Sequence, residues 1–411
     1  MRQHNIEPDA HLYSIMLNGA KLCQDFGSIR RVADLAHSAN VRDPIVWNDL
    51  LHSIFVSSLI EARKKNMKPP RVLPVFGPML RLYSRFFDTK PLEPLFLGDL
   101  KHMQDANAAR WMFNDKLKSF WDNFPALDAN ELLEPTSSTL GIMVLGFVRS
   151  LSKPYDMIAF YSHFRKLVKD GNPVALRIIQ EQGTLVHDIV IKALLERQGL
   201  LRVGLDVVSD MLKDAATAAA VQQSPPLMAA EHSPEPNVTS VSPAKHPAPS
   251  VFTWSILLNG FMYHRLHHQG ESILHLMRRH GISPNIVTWN TIAAGYARLQ
   301  RVDRTVRALQ RLESAGFEAD DFTLRAFSYL KNKGRAIAQM ESMMRLKRQR
   351  YEDLQARLAA SPPLDELKQL ESEVDEIAKM MEGQSTVDES YGMSSFRPSL
   401  ATATAPSALA T

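Results

Sequence analysis

Apolar and polar positions follow one order twice in succession between residues 251 and 320. Each copy opens with a threonine followed by a tryptophan, at Thr253-Trp254 and at Thr288-Trp289, and closes with a glycine-led stretch. A third opening begins at residue 321, so the starts at 251, 286 and 321 are separated by two equal steps of 35 residues. A fixed period of this length is typical of stacked structural repeats. Within each copy the apolar spacing predicts a helix, a short turn and a second helix.

The beginning of the chain carries the same pattern in a less regular form. Residues 6–9 resemble the end of one copy, and residues 12–19 parallel residues 253–260 closely. A further copy opens at Val46-Trp47-Asn48. The pattern therefore predicts repeats near both ends of the chain, with a looser arrangement between residues 60 and 210.

The openings, the exit at residues 281–285, and the positions of Gly260, Met277 and Gly295 resemble the pentatricopeptide repeat family. Tetratricopeptide repeats have a similar length and bind peptides, but the Pro-Asn exit and the 35-residue step favour the pentatricopeptide type. The resemblance implies an all-α fold, a right-handed α-solenoid of helix-turn-helix repeats of about 35 residues.

The pattern also predicts where the organisation of the chain changes. Low-complexity sequence rich in proline cannot bury an apolar face, which predicts a flexible segment before residue 251. The predicted segments are N-terminal repeats with an insertion (1–94), divergent helical repeats (95–213), a Pro/Ala/Ser-rich disordered linker (214–250), clear repeats (251–335), C-terminal capping helices (336–381) and a disordered tail (382–411).

Composition and charge narrow the class of protein. Hydrophobic residues make up 45% of the chain, enough for a continuous core, and no apolar run approaches the ~18 residues of a membrane span. The single cysteine, Cys23, excludes a disulfide framework, and we expect its thiol to be packed inside the first hairpin. A net charge of +4 is mildly basic, which permits nucleic-acid binding without demonstrating it.

The resemblance implies a protein that contacts single-stranded RNA with one base per hairpin. Three repeat positions carry this function in the family: the second position packs on bases, and the fifth and last positions contact base edges. The resemblance implies an adenine contact for Ser255 with Asn285, a uracil contact for Asn290 with Asp320, and a guanine contact for Ser14 with Asp43. The remaining candidates are Asn48 at a fifth position, Phe252 and Val287 at second positions, and Arg298 as a phosphate contact.

Other readings of these residues remain open at the sequence level. Asparagine and serine at such positions also cap helices or cover a helix surface. Arg325 occupies the fifth position of the third opening and breaks the pattern there, while Gly141 and Ile189 lie near that position in the central copies. A dense basic stretch between Lys331 and Arg350 either neutralises RNA phosphates or is a solvated helix face.

The motifs of the common enzyme classes are not found in the sequence: it has no glycine-rich phosphate loop, nucleophile elbow or metalloprotease helix. The crowded histidines at residues 264–280 lack cysteine companions and have few carboxylates near them, so we predict no metal site. From the missing enzyme motifs we also predict no cofactor, no catalytic residue and no small-molecule substrate. The chain is therefore predicted to be a binding protein rather than an enzyme.

The resemblance further predicts where the protein acts. Members of the family work mainly in mitochondria and plastids, and the long insertions resemble those of a fungal mitochondrial member. Because the chain begins inside a repeat exit, we expect it to be N-terminally incomplete. The predicted function is binding of mitochondrial RNA in transcript stability, processing or translation activation, with the mitochondrial ribosome or assembly proteins as further partners. The alternative is a protein-binding helical scaffold, such as a respiratory-complex assembly factor.

Overall fold

The structure is a computed structural model that describes residues 8–66, 72–106, 124, 126–128, 131–223, 247–359 and 372–375. These ranges consist of helices and turns, with one isolated parallel bridge between Phe87 and Leu133 and no strand. None of the described helices combines the length and the apolar character that a bilayer crossing requires. The all-α class and the helical-hairpin organisation predicted from the sequence are confirmed.

The chain divides between Thr288 and Trp289 into two compact units. The described α-helices, in chain order, are α1 (Ala10–Cys23), α2 (Phe26–Ser38), α3 (Pro44–Asn66), α4 (Phe76–Tyr83), α5 (Leu100–Ala106), α6 (Ser137–Ser150), α7 (Pro154–Lys169), α8 (Pro173–Gln182), α9 (Leu185–Leu195), α10 (Leu201–Gln223), α11 (Val251–Tyr263), α12 (His267–Arg279), α13 (Ile286–Arg298), α14 (Val302–Ser314), α15 (Asp321–Ser328) and α16 (Lys333–Ala359). Short 3-10 helices span Lys90–Leu95 and Gln198–Leu200.

Side-chain caps define the first hairpin of the first unit. Asp9 accepts a hydrogen bond from the backbone N–H of Leu12 at 2.8 Å, and Asp25 does the same for Ser28 at 3.0 Å. Each carboxylate satisfies a donor that the first helical turn leaves unpaired. Between the two helices, Gln24 adopts the left-handed conformation with φ 55° and reverses the chain. Helix α1 then packs against both α2 and α3.

The expectation that Cys23 is packed is wrong. The buried residues of α1 include Tyr13, Leu17 and Lys21, which recur every four residues along one face of the helix. Cys23 lies two residues beyond Lys21, off that face, and is exposed at the end of the helix. Hydrophobic character alone therefore does not bury a residue whose helix position turns it towards solvent.

Aromatic side chains build the middle of the first unit. The ring of Trp47 on α3 stacks on Phe86 with centroids 4.1 Å apart. Phe76 meets both Phe96 and Phe147 edge to face at 5.0 and 5.1 Å, geometries that aromatic pairs favour. These rings connect α4 and α6 with the segment after the 3-10 helix. The predicted divergent repeats are therefore helical and share a packed core, although their order departs from a simple series of hairpins.

Helix α9 packs directly on α11, across a break of several tens of residues in the sequence. A Cβ atom on Gly260 would lie 2.7 Å from Leu195 Cβ, which shows how closely the two helices approach. The predicted linker boundary at 214 is wrong, because α10 continues through the alanine run to Gln223. Alanine is the strongest helix former, so that run extends the helix. Residues 224–246, the larger part of the predicted linker, lie outside the described residues.

The last hairpin of the first unit consists of α11 and α12. Trp254 is buried, as predicted, and its indole stacks on the His280 ring with centroids 5.7 Å apart. Gly281 follows with φ 73°, a left-handed conformation that glycine adopts without steric cost and that ends the hairpin at the predicted exit.

The second unit contains the later repeat helices. Trp289 is buried, as predicted. Helix α14 places its apolar side chains at Val302, Val306, Leu309 and Leu312, a helical stripe that faces the core of the unit. The predicted capping region begins earlier than residue 336, because α16 starts at Lys333. Its predicted second helix is described only over residues 372–375, where Glu373 lies 3.6 Å from Arg350, and the predicted tail lies outside the described residues.

Candidate nucleic-acid interface

Apolar side chains occupy the second residue of three first helices and point outwards. Phe252 on α11 and Phe322 on α15 are each 51% exposed, and Val287 on α13 is 39% exposed. Large apolar side chains at one repeated helix position are available for a partner rather than for the core. Aromatic rings in such positions suit stacking against nucleic-acid bases, because every base has an apolar face.

Asn290 and Asp320, predicted as a pair, are joined directly in the second unit. The amide nitrogen of Asn290 lies 2.9 Å from a carboxylate oxygen of Asp320. The amide oxygen lies 2.7 Å from the hydroxyl of Thr323, which donates to it. The amide nitrogen and the amide oxygen of Asn290 are therefore both hydrogen-bonded, and the residue is only 7% exposed.

The partner identities fix which way the Asn290 amide points. Burial alone would raise the pKa of Asp320, but hydrogen bonds from Thr323 and Asn290 outweigh it and hold the pKa below its ordinary value. An ionised carboxylate only accepts hydrogen bonds, so the Asn290 atom facing it has to be the NH2 group. One N–H of that group is used by Asp320, and the second N–H remains as a donor.

Ser255 and Asn285, the other predicted pair of this region, are connected through a third residue. The Ser255 hydroxyl donates to the Val251 carbonyl at 2.8 Å and lies 2.7 Å from the Thr288 hydroxyl. The Asn285 amide oxygen accepts from both the backbone N–H and the hydroxyl of Thr288, each at 3.0 Å. Ser255 is buried, and its hydroxyl gives its proton to Val251 while one oxygen lone pair is left beside the Thr288 contact.

The predicted pair of Ser14 and Asp43 is not brought together. Ser14 donates instead to Asp49, one position beyond Asn48 on α3. The exposed Asp43 caps α3 by accepting from the backbone N–H of Ile45 at 2.9 Å. The half-buried Asn48 has an amide oxygen without a hydrogen-bond partner in the described part of the chain. This repeat has Val46 where the later repeats have threonine, so the group that could connect the two is absent.

Arg298, the predicted phosphate contact, is exposed on α13, and its guanidinium lies 4.7 Å from the ring centroid of Tyr329. The guanidinium of Arg325 lies 5.5 Å from the ring of Phe322, so the residue that breaks the sequence pattern still stands beside an exposed aromatic ring. Cation–π contacts of this kind hold a guanidinium in place while leaving its N–H groups available.

The basic stretch on α16 is a weaker candidate for phosphate binding. Arg335 lies 3.5 Å from Asp303, and Arg345 lies 3.9 Å from Glu341, both at the surface. Carboxylates this close partly cancel the positive charge that would attract RNA. The arrangement favours the solvated-face interpretation over a dedicated phosphate site.

Threonines at the third repeat position connect these contacts, and the sequence analysis missed their role. Thr253, Thr288 and Thr323 recur every 35 residues and are buried. Thr288 contacts Ser255 and Thr323 contacts Asn290, in each case at 2.7 Å. The regular spacing was visible in the sequence, but a threonine at the third helical position is usually explained by its capping bond to the residue before the helix.

Asp188 on α9 is a second residue that the sequence analysis missed. It accepts from the Thr184 hydroxyl at 2.8 Å, and the side chain of Thr253 faces the same carboxylate. Burial raises the pKa of Asp188 to about 6 despite these hydrogen bonds. One carboxylate oxygen of Asp188, Oδ1, has no hydrogen-bond partner in the described part of the chain, unlike the Asn290 amide oxygen. Asp188 directly precedes Ile189, the residue predicted to lie near the fifth position.

The other central candidate position, Gly141, carries no polar contact. A Cβ atom at Gly141 would lie 2.6 Å from a methyl carbon of Leu185, so α6 and α9 pack closely there. The position is used for helix packing.

Helical hairpins that repeat an exposed apolar residue, a buried tryptophan and a polar contact to a threonine define a helical-hairpin repeat protein. Residues 249–298 match the profile of the PPR repeat family, and residues 287–317 match that of the PPR repeat. Residues 249–317 therefore contain repeats of the pentatricopeptide type.

Solved structures of pentatricopeptide repeat proteins are similar to the chain at low identity. The crystal structure of the pentatricopeptide repeat protein PPR10 from maize is 12% identical, with 93% of this chain and 56% of that chain covered and a TM-score of 0.29. The crystal structure of PPR10 in complex with an 18-nt psaJ RNA element is 11% identical, with 83% and 57% covered and a TM-score of 0.21. The chain thus spans little more than half the length of these structures. No curated protein matches it.

Proposed function

We propose that this protein binds single-stranded RNA and that consecutive hairpins contact consecutive bases. The observation that carries the proposal is the Asn290 amide, fixed between Asp320 and Thr323. Phe322, which precedes Thr323 in the chain, is exposed. Polar groups held in one orientation discriminate between base edges, and exposed rings provide stacking surfaces. The match of residues 249–317 to pentatricopeptide repeats supports the same function.

The proposed base at this position is uracil. The second N–H of Asn290 is a donor, and the ionised Asp320 carboxylate beside it is an acceptor. Uracil presents carbonyl oxygens next to an N–H group, so both of its groups find a partner. Cytosine presents an amino group and an unprotonated ring nitrogen instead, which leaves one donor facing another. An unpaired polar group in a buried contact costs about 1–3 kcal/mol.

The proposed base at the preceding position is adenine. Thr288 holds the amide oxygen of Asn285, so the amide N–H groups point away from that threonine. An N–H donor suits the ring nitrogen of adenine that accepts on the pairing edge. Because the Ser255 hydroxyl already donates to its own helix, it contributes to the base as an acceptor.

The test is an exchange of specificity. Asn290→Ser with Asp320→Asn copies the preceding pair into the second unit, and we expect preference at one nucleotide to move from uracil towards adenine by about 1 kcal/mol. Selection from a random RNA pool, followed by anisotropy titrations of single-base variants, measures the change. Asn332→Ser with Asp303→Asn makes the same chemical changes on the exposed surface of that unit and is the matched control.

Three results would contradict the proposal. The first is an unchanged base preference in the exchanged variant. The second is a wild-type protein that shows no RNA affinity at low salt, and the third is one that binds duplex RNA as tightly as single strands. Binding of single strands should weaken as salt rises, because phosphate contacts release counterions. Absence of RNA binding would favour the protein-scaffold alternative, which capture of protein partners by the full chain would then examine.

The cellular role we propose is in mitochondria, in the stability, processing or translation of a transcript. The support is the likeness of the long insertions to mitochondrial members of the family. Expression of the tagged protein, followed by fractionation and by crosslinking with sequencing of the attached RNA, tests both the compartment and the transcript. Recovery of cytosolic RNA alone would contradict this part of the proposal.

A further inference from the structure

Two of the side chains proposed to contact bases each lie within hydrogen-bond distance of a threonine that belongs to the next hairpin. Asn290 on α13 contacts Thr323 on α15, and Ser255 on α11 contacts Thr288 on α13. Both contacts measure 2.7 Å and span 33 residues. A contact that recurs at one repeat position is a property of the repeat rather than of one residue.

The surroundings of Thr323 determine what its hydroxyl can do. Its oxygen accepts from the backbone N–H of Asp320 at 3.2 Å. Its single proton faces two acceptors, the Asn290 amide oxygen at 2.7 Å and an Asp320 carboxylate oxygen at 2.8 Å. Asp320 already receives the backbone N–H of Thr323 at 2.8 Å and the Asn290 amide. The hydroxyl therefore connects the two base-contacting residues and opposes rotation of the amide.

We propose that Thr323 is a positioning residue that sets the hydrogen-bond polarity of Asn290, and that the threonine of each following hairpin sets the base choice of the hairpin before it. The proposal rests on the proposed RNA-binding function. A side-chain amide that rotates by half a turn presents its oxygen where its N–H groups were, and then accepts from cytosine as readily as it donated to uracil. Thr323 and Asp320 hold the amide from two sides, so loss of the Thr323 contact leaves Asp320 alone to favour this orientation and weakens the preference for it.

Thr323→Val removes the hydroxyl and keeps the shape of the side chain. We expect the preference for uracil over cytosine at one nucleotide to fall about fivefold, the equivalent of one net hydrogen bond. Thr323→Ser restores the hydroxyl and should return the preference to that of the wild type. Thr305→Val is the matched control, because Thr305 is also buried in the second unit and its hydroxyl bonds only to the Arg301 carbonyl, at 3.0 Å.

A second measurement separates positioning from damage to the fold. RNA that lacks the base at the affected nucleotide should bind the wild type and Thr323→Val equally, because the amide has nothing to discriminate there. Should Thr323→Val fail to fold, Thr288→Val is measured instead. It should alter the choice at the neighbouring nucleotide, the one contacted through Ser255, and leave the uracil preference intact.

The outcomes distinguish this inference from the function on which it rests. A wild type with uracil preference and a folded Thr323→Val with the same preference would overturn the inference and leave the function standing. Weaker binding of Thr323→Val to the RNA without that base would also overturn it, since the residue would then act on the fold. A wild type without any base preference refutes the proposed function itself.

Discussion

Replacing the buried carboxyl of Asp188 by an amide should stabilise the protein at neutral pH. Asp188 is 8% exposed, and burial raises its pKa from 3.8 to about 6. The folded chain therefore binds the proton more tightly than the unfolded chain, so the free energy of unfolding falls as pH rises through the window from 4 to 6. Above that window the ionised carboxylate remains buried at its full cost.

The expected magnitude follows from the size of the pKa shift. A shift of about two units corresponds to about 3 kcal/mol, since each unit is worth about 1.4 kcal/mol. Asp188→Asn keeps the shape of the side chain and can still accept from Thr184, but it does not ionise. At pH 8 the variant should exceed the wild type in unfolding free energy by up to about 3 kcal/mol, and at pH 4 the two should converge.

The assay is denaturant unfolding of the wild type and of Asp188→Asn at a series of pH values, followed by circular dichroism. The difference between the two proteins isolates one carboxyl, because every other titrating group is common to both. Asp206→Asn is the control: Asp206 is exposed and pairs with Arg202 at the surface, so its removal should change stability by less than about 1 kcal/mol at any pH. A wild-type protein more stable than Asp188→Asn at pH 8, or a difference that does not vary with pH, would refute the reasoning.

Three further substitutions test the core and the exposed surface of α11. Trp254→Ala should destabilise the first unit by about 3–5 kcal/mol in the same unfolding assay, because a buried indole is lost; a change below 1 kcal/mol would contradict its placement. Phe252→Ala, two residues away, should leave stability within about 0.5 kcal/mol. It should nevertheless weaken RNA binding by about 1–3 kcal/mol, measured by anisotropy. Gly260→Ala places a methyl group 2.7 Å from Leu195 and should lower stability by about 1–3 kcal/mol; unchanged stability would mean that α9 and α11 are less closely packed.

The sequence predicts best where the period is intact. The 35-residue step placed the helices from α11 to α15, and the matched aromatic positions predicted two buried tryptophans. These features depend on local spacing, which a single sequence displays. Asn290 and Asp320, which the sequence predicts to contact one base, are bonded to each other, since both residues belong to one uninterrupted repeat.

The features that the sequence did not predict depend on contacts between repeats. The buried carboxyl of Asp188 was not predicted, since a long insertion interrupts the period before residue 251. Ser14 found Asp49 rather than Asp43, because Val46 cannot provide the connecting hydroxyl. The repeat period assigns each residue a position within its repeat, but it does not show which residue of a neighbouring repeat will be its hydrogen-bond partner.

The threonine contacts show that the residues that act together do not all lie within one sequence repeat. The compact first unit closes at Thr288, three residues after the sequence repeat that began at 251 is complete, and Thr288 bonds back to Ser255 within that unit. In the second unit, Asn290, Asp320 and Thr323 all fall between residues 289 and 323. A designer who transplants residues 286–320 would leave one of these three partners behind. The segment that keeps Asn290, Asp320 and Thr323 together is the 35-residue stretch from Trp289 to Thr323.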